Sequence, residues 1–282
     1  MLRLSPAQDC ADTIEQRHLP KLFEEYTREG TLEHYRMLEG FLGTRVFREN
    51  RVIDYSRTLA FFESRAKTAA ANPLTATMYQ DPVLAERRDH AEKQTALALM
   101  DLRSDKRVLD LGCGSGRWAR DIAPFVSAYL GLDFSEGLLD VARAQVPAAV
   151  FQCMPVNDLD IDAFRIPPPF HIVICSGILA YLNEQEVVPL FTTISRIAAP
   201  ESRYYIREPI AKTERLTLDD YWSEELGARY SAVYRTRSEY LDLFSSLQGF
   251  QLREEGAPFP PELQNRAETE QYFFLLERRG TE

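Results

Sequence analysis

The segment Arg107-Val108-Leu109-Asp110-Leu111-Gly112-Cys113-Gly114-Ser115-Gly116-Arg117-Trp118 constrains the fold of this chain more than any other. An apolar run ends in an acid, and glycines follow at alternate positions. The pattern predicts a strand, a tight turn and the start of a helix, with the backbone bared where something must come close. A second apolar run, Ser127-Ala128-Tyr129-Leu130-Gly131-Leu132-Asp133, also ends in an acid. It lies about twenty residues on, the spacing at which a neighbouring strand offers a carboxylate to a ribose.

Two nucleotide-binding patterns do not fit. A dinucleotide fingerprint needs a small residue where Arg117 stands. A phosphate-binding G-x-x-x-x-G-K-[ST] loop is absent from the sequence. The observed D-x-G-x-G-x-G resembles motif I of the class I S-adenosylmethionine-dependent methyltransferases. The resemblance implies S-adenosylmethionine as cofactor, with Asp110 at its methionyl amino group. Gly112, Gly114 and Gly116, with Cys113 among them, would let methionine and ribose lie against the backbone. Asp133 would bind the ribose hydroxyls, with Phe134 beside it.

Later segments resemble the same family in order. Val150–Pro155 resembles strand three and its adenine-contacting turn, which brings in Met154 and Pro155. Members often carry an Asp near Met154, and its absence leaves Asn157 or Asp158 for the adenine contact. Phe170–Leu182 resembles strand four and motif IV, with Ser176 at the cofactor and His171 where an Asp is common. Tyr204–Pro209 resembles strand five, and Gly249–Glu254 with Gln271–Glu277 the final antiparallel pair. The resemblance runs from Pro82 to the C-terminus. It implies a doubly wound, Rossmann-like α/β sheet of about seven strands with an antiparallel last strand.

The first third carries no strand signals. Asp12 is a plausible N-cap before Ile14, Leu19, Leu22 and Phe23, and Thr31 restarts a helix through Tyr35 and Leu38. A further helix is expected from Asp54 through Phe61 and Phe62 to Asn72-Pro73, because the residue before proline leaves helical space. Another is expected from Pro82 towards Leu102. The expected division is an α-helical appendage or lid over residues 1–81 and a cofactor-binding domain over 82–282. Resemblance to methyltransferase lids gives Tyr79 and Arg65 as residues covering the cofactor and reaching its carboxylate. The alternative is that these helices only pack on the core.

The acceptor side is expected at the ends of strands four and five. Tyr181 is read as catalytic or as core. Glu208 is read as orienting or deprotonating an acceptor, or as a strand-end acid paired with Arg207. Arg207 itself, with Tyr230, Tyr234 and Arg235, is a candidate to hold a substrate carboxylate. These last three are expected in a loop that roofs the pocket before a helix begun at Ser238.

Bulk properties narrow the function. The chain has 282 residues and a net charge of −10, whereas general nucleic-acid binders are usually basic. Arg45, Arg48 and Arg51 are interrupted by Glu49 and read as a solvated face. The four cysteines form no C-x-x-C pair, which suggests reduced thiols in a cytoplasmic protein. No secretory leader or bilayer-length apolar run is visible. His18, His34, His90 and His171 lack metal spacing, so no metal is expected. After strand four stands Cys175-Ser176-Gly177-Ile178 instead of N-P-P-[YF], which counts against amino-methylation of DNA or protein glutamine.

These readings converge on methyl transfer to a small-molecule acceptor, without nucleic acid or membrane, in a monomer or homodimer. One alternative on the same fold is transfer or cyclisation of the aminocarboxypropyl arm, as in azetidine-2-carboxylate formation, with release of methylthioadenosine. The other is a non-catalytic cofactor- or partner-binding protein.

Overall fold

Parallel strands need cover on both faces, and the apolar runs of this chain supply it by alternation. A computed structural model describes residues 52–278 apart from 70, 78–80, 224–225, 246, 248 and 265. The helices expected before Arg51, the Arg45–Arg51 cluster and Tyr79 lie outside the described residues. The first helix, α1 (Tyr55–Ala69), is capped by Asp54, whose Oδ1 accepts from Ser56 N at 2.9 Å. It ends before Asn72, and Asn72 caps the short α2 (Pro73–Thr77) through Leu74 N at 3.2 Å. Helix α3 (Pro82–Leu99) starts on Asp81, whose side chain accepts from Val83 N and Leu84 N. It stops short of the expected Leu102, and Asp101 beyond it turns left-handed at φ 53°.

The strand–helix alternation begins where expected. Strand β1 (Arg107–Leu111) leads to α4 (Ala119–Ile122), β2 (Ala128–Asp133) to α5 (Glu136–Gln145), and β3 (Val150–Cys153) precedes β4 (Phe170–Ser176). Then come α6 (Glu184–Arg196), β5 (Ala198–Ala211), β6 (Leu216–Ser223), β7 (Ala228–Tyr234), α7 (Arg237–Ser245), β8 (Phe250–Gly256) and β9 (Thr269–Arg278). Seven strands form one sheet in the order β3-β2-β1-β4-β5-β9-β8. Strands β3 to β5 are parallel, and β9 runs antiparallel between β5 and β8.

Leu109, Leu111, Leu130, Leu132 and Val173 point to one face, buried with Val187 and Phe191 of α6 and Phe244 of α7. Val108, Tyr129, Ile172 and Ile174 point to the other, against Ala96 of α3, Ala119 of α4 and Leu139 of α5. His171 sits at the amino end of β4, where its Nδ1 accepts from Arg107 N at 3.1 Å.

One element departs from the sequence reading. The segment carrying Tyr230 and Tyr234 is a strand, not a loop, and β6 and β7 form a separate two-stranded sheet. The alternation of Leu216 and Leu218 breaks at Asp219-Asp220, where the register shifts and Asp220 takes φ 51°. That bulge hides the strand period. The hairpin packs its own apolar group, including Leu218, Tyr221 and Ala232, against Phe61 of α1.

Candidate active site

In a doubly wound sheet, ligands bind beyond the carboxyl ends of the strands. A cavity of about 720 Å³ opens there, walled by Gly112 and Gly114 from the turn after β1, Asp133 and Phe134 after β2, Pro155 after β3 and Ser176 after β4. Helix α1 closes it with Tyr55, Thr58 and Phe62, which share one helix face. Of the two alternatives for the adenine contact, Asn157 lines the cavity and Asp158 does not.

Asp133 is the anionic centre of this wall. Its Oδ2 accepts from Gly114 N at 2.8 Å, which ties the glycine turn to β2, and its Oδ1 accepts from Ser135 N at 2.9 Å. Burial pushes its pKa up to about 6, against the opposing pull of these two donors. Gly112 and Gly114 hold φ of +64° and +53°. A Cβ at Gly112 would stand 1.9 Å from Ile178 Cδ1, and one at Gly114 would stand 2.7 Å from Thr77 Cγ2. Any side chain at either position would fill the cradle.

Several expected cofactor residues lie beneath this wall instead of on it. Asp110 is 1% exposed and accepts from the Tyr129 hydroxyl, on the face of β1 that meets α3. Burial raises its pKa to about 7. Cys113 is buried against Gly131, and a Cβ at Gly116 would stand 3.1 Å from Ala142 Cβ of α5, so this glycine serves helix–strand packing. Met154 turns into the core while its N–H donates to the Asp133 carbonyl at 2.8 Å. Arg65 does not line the cavity, and its guanidinium donates to the Ala76 carbonyl at 2.7 Å and to the Thr75 carbonyl. It braces α1 on the end of α2.

A second cavity of about 1010 Å³ shares Thr77, Ser176, Gly177 and Tyr181 with the first. Tyr181 stands at the junction, edge-on to Phe62 at 5.3 Å. Arg207, Tyr230 and Tyr234 line the second cavity, and the two tyrosine hydroxyls lie 3.1 Å apart. Arg88 of α3 and Arg266 line it too, and sequence reasoning missed both. Nothing in the local pattern marks Arg88, which belongs to an otherwise ordinary helix.

Two acceptor-side expectations are corrected. Glu208 neither faces an acceptor nor pairs with Arg207. It is wholly buried, and its carboxylate accepts from Ile178 N at 2.8 Å, Leu179 N at 2.9 Å and Ala180 N at 3.2 Å. It therefore caps the 3-10 turn Leu179–Tyr181, which carries Tyr181. Burial raises its pKa, against these three donors. Glu208→Gln is expected to destabilise the chain by about 1–3 kcal/mol, because one acceptor oxygen is replaced by a donor facing other donors. Thermal melts would read this loss, and the pH profile of turnover should keep its shape; a shifted profile would restore a direct role. Arg235 is also wholly buried, donating to the carbonyls of Leu179 at 2.7 Å and Leu182 at 2.9 Å, so it fixes the same turn from behind.

Arg207 pairs instead with Glu92 of α3 at 3.1 Å. Glu92 also receives Arg117 at 2.9 Å, and Arg117 reaches Ser176 Oγ at 2.9 Å. Burial alone would raise the pKa of Glu92, but Arg117 and Arg207 together hold it down at about 2. The residue that breaks the dinucleotide fingerprint thus joins the glycine turn to both cavities.

Residues 108–201 match the family model described as a methyltransferase domain. The chain is 28% identical over 126 residues to phosphoethanolamine N-methyltransferase 1 of Triticum aestivum, a match covering 43% of this chain and 24% of that one. It is 29% identical over 115 residues to trans-aconitate 2-methyltransferase of Methylobacterium nodulans, covering 40% and 42%. The chain spans less than half the length of the curated relatives it matches. The fold is similar to that of the 1,6-didemethyltoxoflavin-N1-methyltransferase of Burkholderia thailandensis, with TM-score 0.58 and 14% identity over 83% of this chain and 94% of that one. Residues 108–201 thus match a methyltransferase domain and the fold is that of S-adenosylmethionine-dependent methyltransferases, a family whose cofactor is S-adenosylmethionine.

The wall of the first cavity fits such a group. It offers a carboxylate at the end of β2, a glycine cradle that any Cβ would obstruct, and an aromatic lid from α1. Among the described residues no cluster of metal-ligating side chains occurs, and no helix is long and apolar enough to cross a membrane.

Proposed function

We propose that this chain transfers the sulfonium methyl of S-adenosylmethionine to a small-molecule acceptor. The observation that carries the reading is the junction of two cavities at Ser176, Gly177 and Tyr181. Asp133 accepts the ribose hydroxyls, the Gly112–Gly114 backbone lies along the methionyl arm, and Asn157 takes the adenine edge. When bound, the cofactor supplies an electrophilic methyl that needs an aligned nucleophile more than a strong base. Tyr181 and the Ser176–Gly177 backbone separate the two ligands and orient their reacting ends. Tyr55, Thr58 and Phe62 exclude water from the cofactor side. A second cavity joined to the first supports an intermolecular acceptor over cyclisation of the cofactor's own arm. The described cysteines, Cys113, Cys153 and Cys175, are free thiols, which supports a cytoplasmic setting within small-molecule biosynthesis.

The test is calorimetric titration of the full chain with S-adenosylmethionine, then mass spectrometry after incubation with a metabolite extract. The expected products are S-adenosylhomocysteine and a methylated small molecule. Methylthioadenosine would instead establish aminocarboxypropyl chemistry, and absence of binding would remove the cofactor assignment.

A further inference from the structure

The second cavity carries a charge opposite to that of the chain around it. The chain has a net charge of −10. Yet three guanidinium groups line this cavity, those of Arg88, Arg207 and Arg266, and Glu270 is the one lining carboxylate among the described residues. The guanidiniums come from three separate elements, α3, β5 and the segment before β9, so no single amphipathic surface explains their convergence.

Each of the two buried arginines is held in place. Arg88 is 1% exposed, with its Nε on the Leu263 carbonyl at 2.7 Å and its guanidinium over the Phe259 ring at 5.3 Å. Arg207 is fixed by Glu92 on one side and by Gln271 at 2.9 Å on the other. Its Nη1 would stand 3.3 Å from a Cβ at Gly177. A side chain at position 177 would therefore crowd the guanidinium at the junction with the cofactor cavity. Tyr230 and Tyr234 supply hydroxyls in the same cavity. Planar guanidinium forks match carboxylate and phosphate oxygens better than any other side chain does.

We propose that the acceptor is a small anion, a carboxylate or a phosphate ester, gripped by Arg88, Arg207 and Arg266 so that its nucleophile faces Gly177 and Tyr181. The inference rests on the methyltransferase reading and adds the chemical class of the acceptor. Glu92 serves it indirectly as a positioning residue, holding Arg207 at the junction.

The test uses the full chain saturated with S-adenosylhomocysteine, titrated with succinate, with inorganic phosphate and with succinamide as a neutral match. Succinate or phosphate should bind, more weakly as salt rises, while succinamide should not. Binding of succinate alone assigns a carboxylic acid, and binding of phosphate alone assigns a phosphate ester. Arg266→Gln, at a half-buried position, should weaken the anion about tenfold to a hundredfold and leave S-adenosylhomocysteine affinity unchanged. Arg88→Gln should act in the same direction. Equal binding of succinamide and succinate, an anion affinity indifferent to both substitutions, or no anion binding to a chain that holds S-adenosylhomocysteine would each overturn the proposal. A chain that does not take up S-adenosylhomocysteine would fail at the earlier step, and the methyltransferase reading would fall with it.

Discussion

Asp133→Asn is expected to weaken S-adenosylmethionine binding about a hundredfold, since two hydrogen bonds to a charged oxygen pair become poorer ones. The fold should survive, because asparagine keeps one acceptor for the Gly114 or Ser135 N–H groups that Asp133 now serves. Asp133→Ala would leave both donors unanswered and confuse loss of affinity with loss of structure. The same carboxylate makes a pH signature. Its pKa is raised to about 6, so it is ionised above that value and protonated below it. A ligand that donates to the ionised form must expel a proton in acid. Affinity should therefore be flat above neutrality and fall about tenfold per unit well below pH 6. Asp110, raised to about 7, titrates in the same window, so the asparagine variant at position 133 isolates the contribution of Asp133. Calorimetry of parent and variant between pH 5 and pH 8, as the working range, reads both effects. An unaltered affinity at neutral pH would remove the ribose from Asp133.

Glu92→Gln is expected to be the most damaging single change to stability. Glu92 is wholly buried and faces Arg117 and Arg207, and its removal leaves Arg207 short of a counter-charge and Arg117 with Asp89 alone, 2.9 Å away. Breaking a buried pair from one side costs about 3–5 kcal/mol. For a domain of this size that is a fall in Tm of about 6–15 °C. The pH dependence has a definite sign. The folded pKa, about 2, lies below the ordinary value of 4.5, so the ion pairs stabilise fully above 4.5 and fade as pH drops towards 2. Parent and variant should therefore differ most near neutrality and converge in acid. Melting curves at several pH values test this, and equal Tm at pH 7 would show that Asp89 alone satisfies Arg117.

The sheet was legible because parallel strands buried on both faces read as largely apolar runs closed by Gly, Asp or Ser. Val108–Leu111, Tyr129–Asp133 and Ile172–Cys175 all have this form. The same runs locate their carboxyl ends, which is why Gly112, Gly114, Asp133, Phe134, Pro155 and Ser176 fall on one cavity. Charged residues were harder to read. Arg235 and Glu208 sit in plausible acceptor positions along the chain, yet both are consumed in shaping the Leu179–Tyr181 turn. Asp110 occupies a strand end, but the two-residue period turns it toward α3 and Tyr129. Whether a polar side chain meets solvent, ligand or backbone depends on partners distant in sequence, as with Arg88 and Leu263. Tyr55, Thr58 and Phe62 did carry a usable signal, their i, i+3, i+7 spacing, which places them on one side of α1.

The β6–β7 hairpin hydrogen-bonds as its own small sheet and packs around its own apolar group, yet Tyr230 and Tyr234 line the second cavity. The hairpin thus gives the second cavity one wall of its own, while the first cavity is walled by the turns after β1 and β2. The two inheritances can drift separately. A lineage could exchange this hairpin, and with it one wall of the second cavity, without disturbing the hydrogen bonds of Asp133 to Gly114 and Ser135.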